Sequence, residues 1–248
     1  MVDFYLAQGW WQFIIIALVG YLVGCFNFAR LISKLKKKDV SKMGSGNPGA
    51  MNMIRNFGPV LGFLTFTLDA LKAGGPAIIA YHLYNSGFYA GGVVDGKVFA
   101  GTAFPVGCFA AFLCGACVVL GHVYPVTTRF KGGKGIASGV GLFWLMLGMA
   151  NPWFWLIGLG VILTWPLLIS WTKVGSVCTL CYLACFGVWQ IGALFSACGP
   201  GNIWVSISGA LIFFVVVLSW VAHRKNIRDL LAGEEHETVI FKKSGLKK

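Results

Sequence analysis

Charge is scarce in this chain. Only 11% of its 248 residues are Asp, Glu, Lys or Arg, only 8 of those are acidic, and only 4 residues are His. An ordinary soluble domain carries about 25% charged residues, so this chain cannot clothe a water-facing surface. Its 57% apolar content and mean hydropathy of +0.77 place it in lipid instead. The stretch from Met1 to Trp11 has Asp3 but no Lys or Arg, so the basic n-region of a secretory signal peptide is missing and the first apolar run is expected to be retained. A Walker A loop is missing as well, because Lys134 is followed by Gly135 rather than by Ser or Thr. Metal spacing is also absent: His82, His122 and His236 have no partners at ligand spacing, and the pairs Cys114/Cys117 and Cys178/Cys181 lie inside apolar runs about sixty residues apart. These cysteines read as small apolar packing residues, and no metal or cofactor is expected.

What the chain has is a series of apolar runs: Trp11–Ser33, Pro59–Leu83, Phe104–Leu120, Ile136–Ala150, Trp153–Ser170, Ser176–Phe195 and Ile203–Ala222. Roughly 20 apolar residues cross a bilayer core about 30 Å thick, so the runs predict an all-α integral membrane protein of seven transmembrane helices forming one domain over 1–248. The net charge of +12 is not a nucleic-acid footprint, since the basic residues sit at the ends of apolar runs and not along an aromatic-studded groove. They mark topology. Arg30, Lys34, Lys36, Lys37 and Lys38 follow the first run, and every Lys and Arg except Lys72 and Lys97 lies in or beside Lys34–Gly58, Gly121–Gly135, Trp171–Gly175 or the tail from His223. The positive-inside rule then sets the N-terminus outside and the C-terminal tail, 223–248, in the cytoplasm near anionic membrane lipids.

Two of these cytoplasmic segments carry chemistry. The first reads Gly44-Ser45-Gly46-Asn47-Pro48-Gly49-Ala50-Met51-Asn52, with Arg55 and Gly58 after it. Glycines at this density let successive N–H groups point into one concavity that suits phosphate oxygens. Ser45, Asn47 and Asn52 add neutral donors, and Arg55 adds a planar fork matched to phosphate. The second segment, from Gly121-His122 through Phe130-Lys131-Gly132-Gly133-Lys134-Gly135, is a Gly-rich turn entering a helix, where the helix N-terminus and Lys134 both favour an anion. In the second helix Asp69 and Lys72 stand three apart, share a face and can pair, as charges at membrane depth must. At the last membrane boundary His223 and Asn226 fall on one face if the segment stays helical.

Taken in order, these segments resemble the bacterial acyl-phosphate:glycerol-3-phosphate acyltransferase family, the PlsY proteins. The resemblance rests on the Gly-Ser-Gly-Asn-Pro-Gly-Ala loop with Asn52 and Arg55, on Asp69 and Lys72, on Gly121-His122 with Pro125 and Phe130-Lys131-Gly132-Gly133-Lys134-Gly135, and on His223, Asn226, Ile227 and Glu235. It implies an enzyme that binds acyl-phosphate and glycerol 3-phosphate at the cytoplasmic face and releases lysophosphatidic acid and phosphate. It implies catalytic roles for Ser45, Arg55, Lys134, His223 and Asn226. Gly44, Gly46, Asn47, Gly49, Asn52, Gly132, Gly133 and Gly135 would bind substrate phosphates, supported by the ionic groups Asp69, Lys72 and Glu235.

An acyl-phosphate already carries a good leaving group, so positioning and charge stabilisation suffice without a covalent nucleophile. The chain indeed has no Gly-x-Ser-x-Gly elbow and no His followed five residues later by Asp, the pattern of acyl-CoA-dependent glycerolipid acyltransferases. It departs from the family pattern at Met51, where Thr is expected, at Ala73 for Gly, at Cys25 for Ser, and at Lys173 in a loop that usually carries Ser. The competing reading is a membrane carrier for phosphate or a phosphorylated metabolite. The Asp69/Lys72 pair supports it; the clustering of polar groups at one face, with no inverted repeat, opposes it.

Overall fold

A computed structural model describes residues 10–85, 93–94, 97–98, 100–199 and 201–234. Among the described residues the regular structure is helical apart from a two-stranded antiparallel ribbon, β1 (Val93–Val94) and β2 (Lys97–Val98), in which Val93 pairs with Val98 and Val94 with Lys97. The helices are α1 (Trp10–Gly24), α2 (Phe28–Leu35), α3 (Ala50–Phe57), α4 (Pro59–Asn85), α5 (Ala100–Val123), α6 (Ile136–Ala150), α7 (Trp153–Thr172), α8 (Gly175–Cys198), α9 (Ile203–Ala222) and α10 (Arg224–Leu231). Among the described residues six stretches are long and apolar enough to cross a membrane, the first being Trp10–Leu35 taken as a whole. The protein is therefore membrane-embedded. The remaining apolar run, Ile136–Ala150, forms a helix of only 15 residues, α6.

The first apolar run is not one helix. It breaks at 25–27 because Asn27 takes the N-cap of α2, its side chain accepting from the Arg30 N–H at 2.9 Å. Asn competes with the helical backbone for hydrogen bonds and so favours a cap over an interior position. The loop expected over Trp171–Gly175 shrinks to Lys173 and Val174, with Lys173 closing α7 at φ +60°.

Packing centres on α6. Its residues Leu142, Phe143 and Leu147 are fully enclosed, and they join Phe112 of α5 and Leu183 and Phe186 of α8 in the main apolar cluster. Lipid tails are as apolar as Leu, so no hydrophobic force drives such helices together; small residues that admit close backbone approach do. Gly20 and Gly24, one turn apart on α1, provide this against α5. A Cβ at Gly20 would lie 2.6 Å from the Cys114 carbonyl, and one at Gly24 would reach 3.0 Å from the Gly121 Cα and collide with the Val118 carbonyl. Exposed Leu18 and Leu22 on α1 and Leu156, Leu163 and Leu167 on α7 are the surfaces left for lipid.

Candidate active site

The first loop is built around a buried amide. Asn52, in the first turns of α3 and 1% exposed, donates from Nδ2 to the carbonyls of Val40 at 3.0 Å and Met43 at 2.9 Å. Its Oδ1 accepts from the Ser45 N–H at 3.2 Å and from Asn56 Nδ2 at 2.9 Å. Both amide ends are thus spent on the loop itself, so Asn52 shapes the turn from within. The turn needs left-handed backbone at Gly44 (φ +54°) and Gly46 (φ +70°), which only glycine adopts without steric cost. A Cβ at Gly44 would also stand 2.5 Å from Asn52 Oδ1. The loop is entered through the turn Val40–Lys42, where Asp39 accepts from the Ser41 N–H at 3.0 Å, a bond that holds its carboxyl below the usual carboxylate range. Ser45 is exposed, with the Asn47 N–H 3.5 Å from its Oγ. Gly49 caps α3 with no side-chain bond, so the first N–H groups of that helix point back past it toward the loop. Arg55 stands on the exposed face of α3.

The second loop uses two of its glycines differently from the expected anion cradle. The Gly132 N–H donates to the Val123 carbonyl at 3.2 Å and the Gly133 N–H to the His122 carbonyl at 2.9 Å. Both N–H groups therefore satisfy the carbonyls that the end of α5 would otherwise leave unpaired. A Cβ at Gly133 would run into the His122 ring, so the fold-back depends on glycine there. Gly135, at φ +81°, starts α6 without a side-chain cap. Between them Lys134 reaches across the bundle end, and its Nζ donates to Asn226 Oδ1 of α10 at 2.5 Å.

His223 joins α9 to α10 and is 4% exposed. Its Nδ1 lies 2.8 Å from the Ser219 carbonyl, a geometry that requires N–H at Nδ1 and leaves the lone pair on Nε2. Burial first, then the nearby Lys134 ammonium, pushes its pKa down to about 4, against the Ser219 hydrogen bond, which raises it. The imidazole is neutral at physiological pH. Of the expected catalytic residues, Lys134, His223 and Asn226 are thus brought together, while Ser45 and Arg55 belong to the first loop. Glu235 lies outside the described residues.

The expected Asp69/Lys72 pair has a third member that sequence reading leaves unpaired. Lys72 Nζ is 2.8 Å from Asp69 Oδ1, an ion pair rather than an aligned hydrogen bond. It is also 2.8 Å from His122 Nδ1 and donates to the Phe26 carbonyl at 2.8 Å. All three side chains are buried. His122 is fifty residues from Lys72, and no local spacing signals the contact. Asn27 and Arg30 are likewise absent from the sequence-level site, yet Asn27 Nδ2 donates to the Pro48 carbonyl in the first loop at 3.0 Å and Arg30 Nη2 to the Lys131 carbonyl in the second at 3.0 Å. Among the described residues no group of three or more His, Cys, Asp or Glu is placed to hold a metal ion.

Residues 14–233 match the family model described as glycerol-3-phosphate acyltransferase. A glycerol-3-phosphate acyltransferase of Thermotoga petrophila is 36% identical over 95% of this chain and 100% of its own length. One from Aquifex aeolicus is 32% identical over 89% of this chain and 96% of its own. The crystal structure of PlsY, an integral membrane glycerol 3-phosphate acyltransferase, in its glycerol 3-phosphate form is similar with a TM-score of 0.65 at 29% identity, covering 91% of this chain and 95% of that one. Its lysophosphatidic acid form gives a TM-score of 0.64.

Proposed function

The chain belongs to the glycerol-3-phosphate acyltransferase family and is an integral membrane acyltransferase of glycerol 3-phosphate; on that premise we propose that acyl-phosphate is its acyl donor. The sn-1 hydroxyl oxygen attacks the acyl carbonyl carbon, the bond from that carbon to the phosphate oxygen breaks, and lysophosphatidic acid and inorganic phosphate leave. The Lys134–Asn226 contact beside a neutral, buried His223 carries this reading. It supports reading Lys134 as a phosphate-neutralising cation and Asn226 as a hydroxyl-orienting group at one bundle end, where a fatty chain can enter sideways from lipid. In the proposed site Arg55 and Lys134 clamp phosphates, Ser45, Asn47 and Gly49 line the first seat, and His223 and Asn226 orient glycerol 3-phosphate. The hydroxyl proton passes to a substrate phosphate, whose second pKa is about 6, or to His223 Nε2. The carrier reading loses its main support, since Lys72 is committed to Asp69, His122 and the Phe26 carbonyl.

Connectivity supports the reading of seven crossings. Lys134–Asn226 puts the end of α9 at the same end of the bundle as the start of α6. Besides α6 itself, three helices long enough to cross, α7, α8 and α9, lie between these points, so a return to the same end requires α6 to carry the chain to the opposite end. At 1.5 Å per residue α6 spans about 22 Å against a core of about 30 Å, which suits a helix enclosed by protein. With the basic loops inside, the N-terminus is outside, the 223–248 tail cytoplasmic, and the site at the cytoplasmic face of the cell membrane. The whole chain acts as one membrane domain.

The test is lysophosphatidic acid formation by purified protein in detergent, with glycerol 3-phosphate and either palmitoyl-phosphate or palmitoyl-CoA. Turnover is expected with the acyl-phosphate alone, and Lys134→Gln or Arg55→Ala is expected to lower kcat/KM on the order of 10²-fold, as removal of one charge-stabilising donor does. Equal turnover with palmitoyl-CoA would overturn the donor assignment, and undiminished turnover in a folded variant would overturn that residue's role.

A further inference from the structure

The break between α1 and α2 contacts both loops of the proposed site without belonging to it. Cys25 offers its carbonyl to Thr127 Oγ1 at 3.3 Å, and one turn earlier the Tyr21 hydroxyl donates to the Tyr124 carbonyl at 2.8 Å. Phe26 offers its carbonyl to the buried Lys72 ammonium, which fixes the break against α4. Asn27 then divides its amide: Oδ1 caps α2 and Nδ2 holds Pro48, the residue before Gly49 in the first loop. Arg30, whose N–H receives that cap, holds the carbonyl of Lys131 immediately before the Gly132-Gly133-Lys134 turn. One turn of helix therefore grips the first loop by one side chain and the second by another.

From this arrangement we infer that Asn27 and Arg30 are positioning residues that set the first loop in register with the second. The inference rests on the assignment of the two loops to the two substrate phosphates. Each loop is shaped by its own bonds, through Asn52 in the first and the His122 and Val123 carbonyls in the second. Loss of the clamp leaves each phosphate seat intact and alters only the distance between them. Reaction between two separately held substrates depends steeply on that distance, a misplacement of about 1 Å costing on the order of 10²-fold in rate. The effect then falls on kcat rather than on either KM.

The experiment measures kcat and both KM values in detergent for Asn27→Ser, Arg30→Leu and the double variant, with thermal midpoints beside them. Ser retains a capping oxygen for α2 but is too short to reach Pro48, and Asn27→Thr serves if the Ser variant does not fold. Each single change is expected to lower kcat about 10-fold to 100-fold, with both KM values within about threefold. The double variant is expected to be no worse than the weaker single one, because register can be lost only once. Unchanged kcat, a loss confined to KM, losses that multiply, or a loss that follows a lowered thermal midpoint would each overturn the clamp. Lys134→Gln is assayed in parallel. Full activity there withdraws the site assignment itself, whereas an inactive Lys134→Gln beside an unimpaired Asn27→Ser withdraws the clamp alone.

Discussion

His223 is held neutral by its surroundings, and that has a measurable consequence for pH. Its folded pKa of about 4 lies below the ordinary 6.5, chiefly through burial. Between those values the unfolded chain binds a proton that the folded chain does not, so stability rises with pH there. The contribution is present above pH 6.5 and is lost as pH falls through 4. At about 1.4 kcal/mol per unit it is on the order of 3 kcal/mol. Thermal midpoints measured in detergent from pH 7 to pH 4 are expected to fall more steeply in the natural protein than in His223→Gln, which has no such titration; parallel curves would show that the ring is not held neutral. The other residue-scale differences are local. Met51 packs beside Ile54, Trp165 and Cys178, Ala73 is fully enclosed, and Lys173 closes α7. These three departures from the family pattern fill packing and helix-end positions.

Helices were legible in the sequence in each of the apolar runs, the 15-residue Ile136–Ala150 included, and several of their ends were legible where glycine or basic residues interrupted them. The breaks that depend on tertiary partners were not. Asn27 sits within an apolar run, and its capping role emerges only with Pro48 in contact, twenty-one residues away. Lys72 and Asp69 were readable from their spacing, but His122 was not, because the pairing needs α4 and α5 side by side. Likewise Gly132 and Gly133 look like a phosphate turn until α5 is seen ending beneath them. At the α1–α5 crossing the glycines make a further prediction. Gly24→Ala would drive a methyl into the Val118 carbonyl and the Gly121 Cα, and such overpacking costs about 1–3 kcal/mol. A lowered thermal midpoint is expected for it. Gly192→Ala, on the lipid-facing side of α8 with nothing within 4 Å of the new Cβ, is expected to leave the midpoint unchanged or raise it slightly, as replacing a mid-helix glycine does. Equal effects at the two positions would show that close backbone approach is not what holds α1 to α5.

Across the whole molecule the charge distribution and the site coincide. Arg30, the lysines of 34–42, Arg55, Arg129, Lys131, Lys134, Lys173, Arg224, Lys225 and Arg228 all lie in or beside the segments at the site end, whereas Lys97 lies in the opposite ribbon and Lys72 is buried. One basic face thus serves two physical purposes. In the proposed topology it would retain the loops on the cytoplasmic side during insertion and raise the local concentration of dianionic substrates and anionic lipid at the mouth of the site. Both require the site end to face the cytoplasm, and this can be tested without any activity measurement. With the eight native cysteines replaced, a single cysteine is placed at Lys36, exposed just beyond α2, or at Gly201, exposed in the connection between α8 and α9. A membrane-impermeant maleimide is expected to label Gly201→Cys in intact cells and Lys36→Cys only after permeabilisation. The opposite pattern would put the loops outside, away from the metabolic pool of glycerol 3-phosphate. A protein labelled at both positions in intact cells would lack the odd number of crossings that separates them.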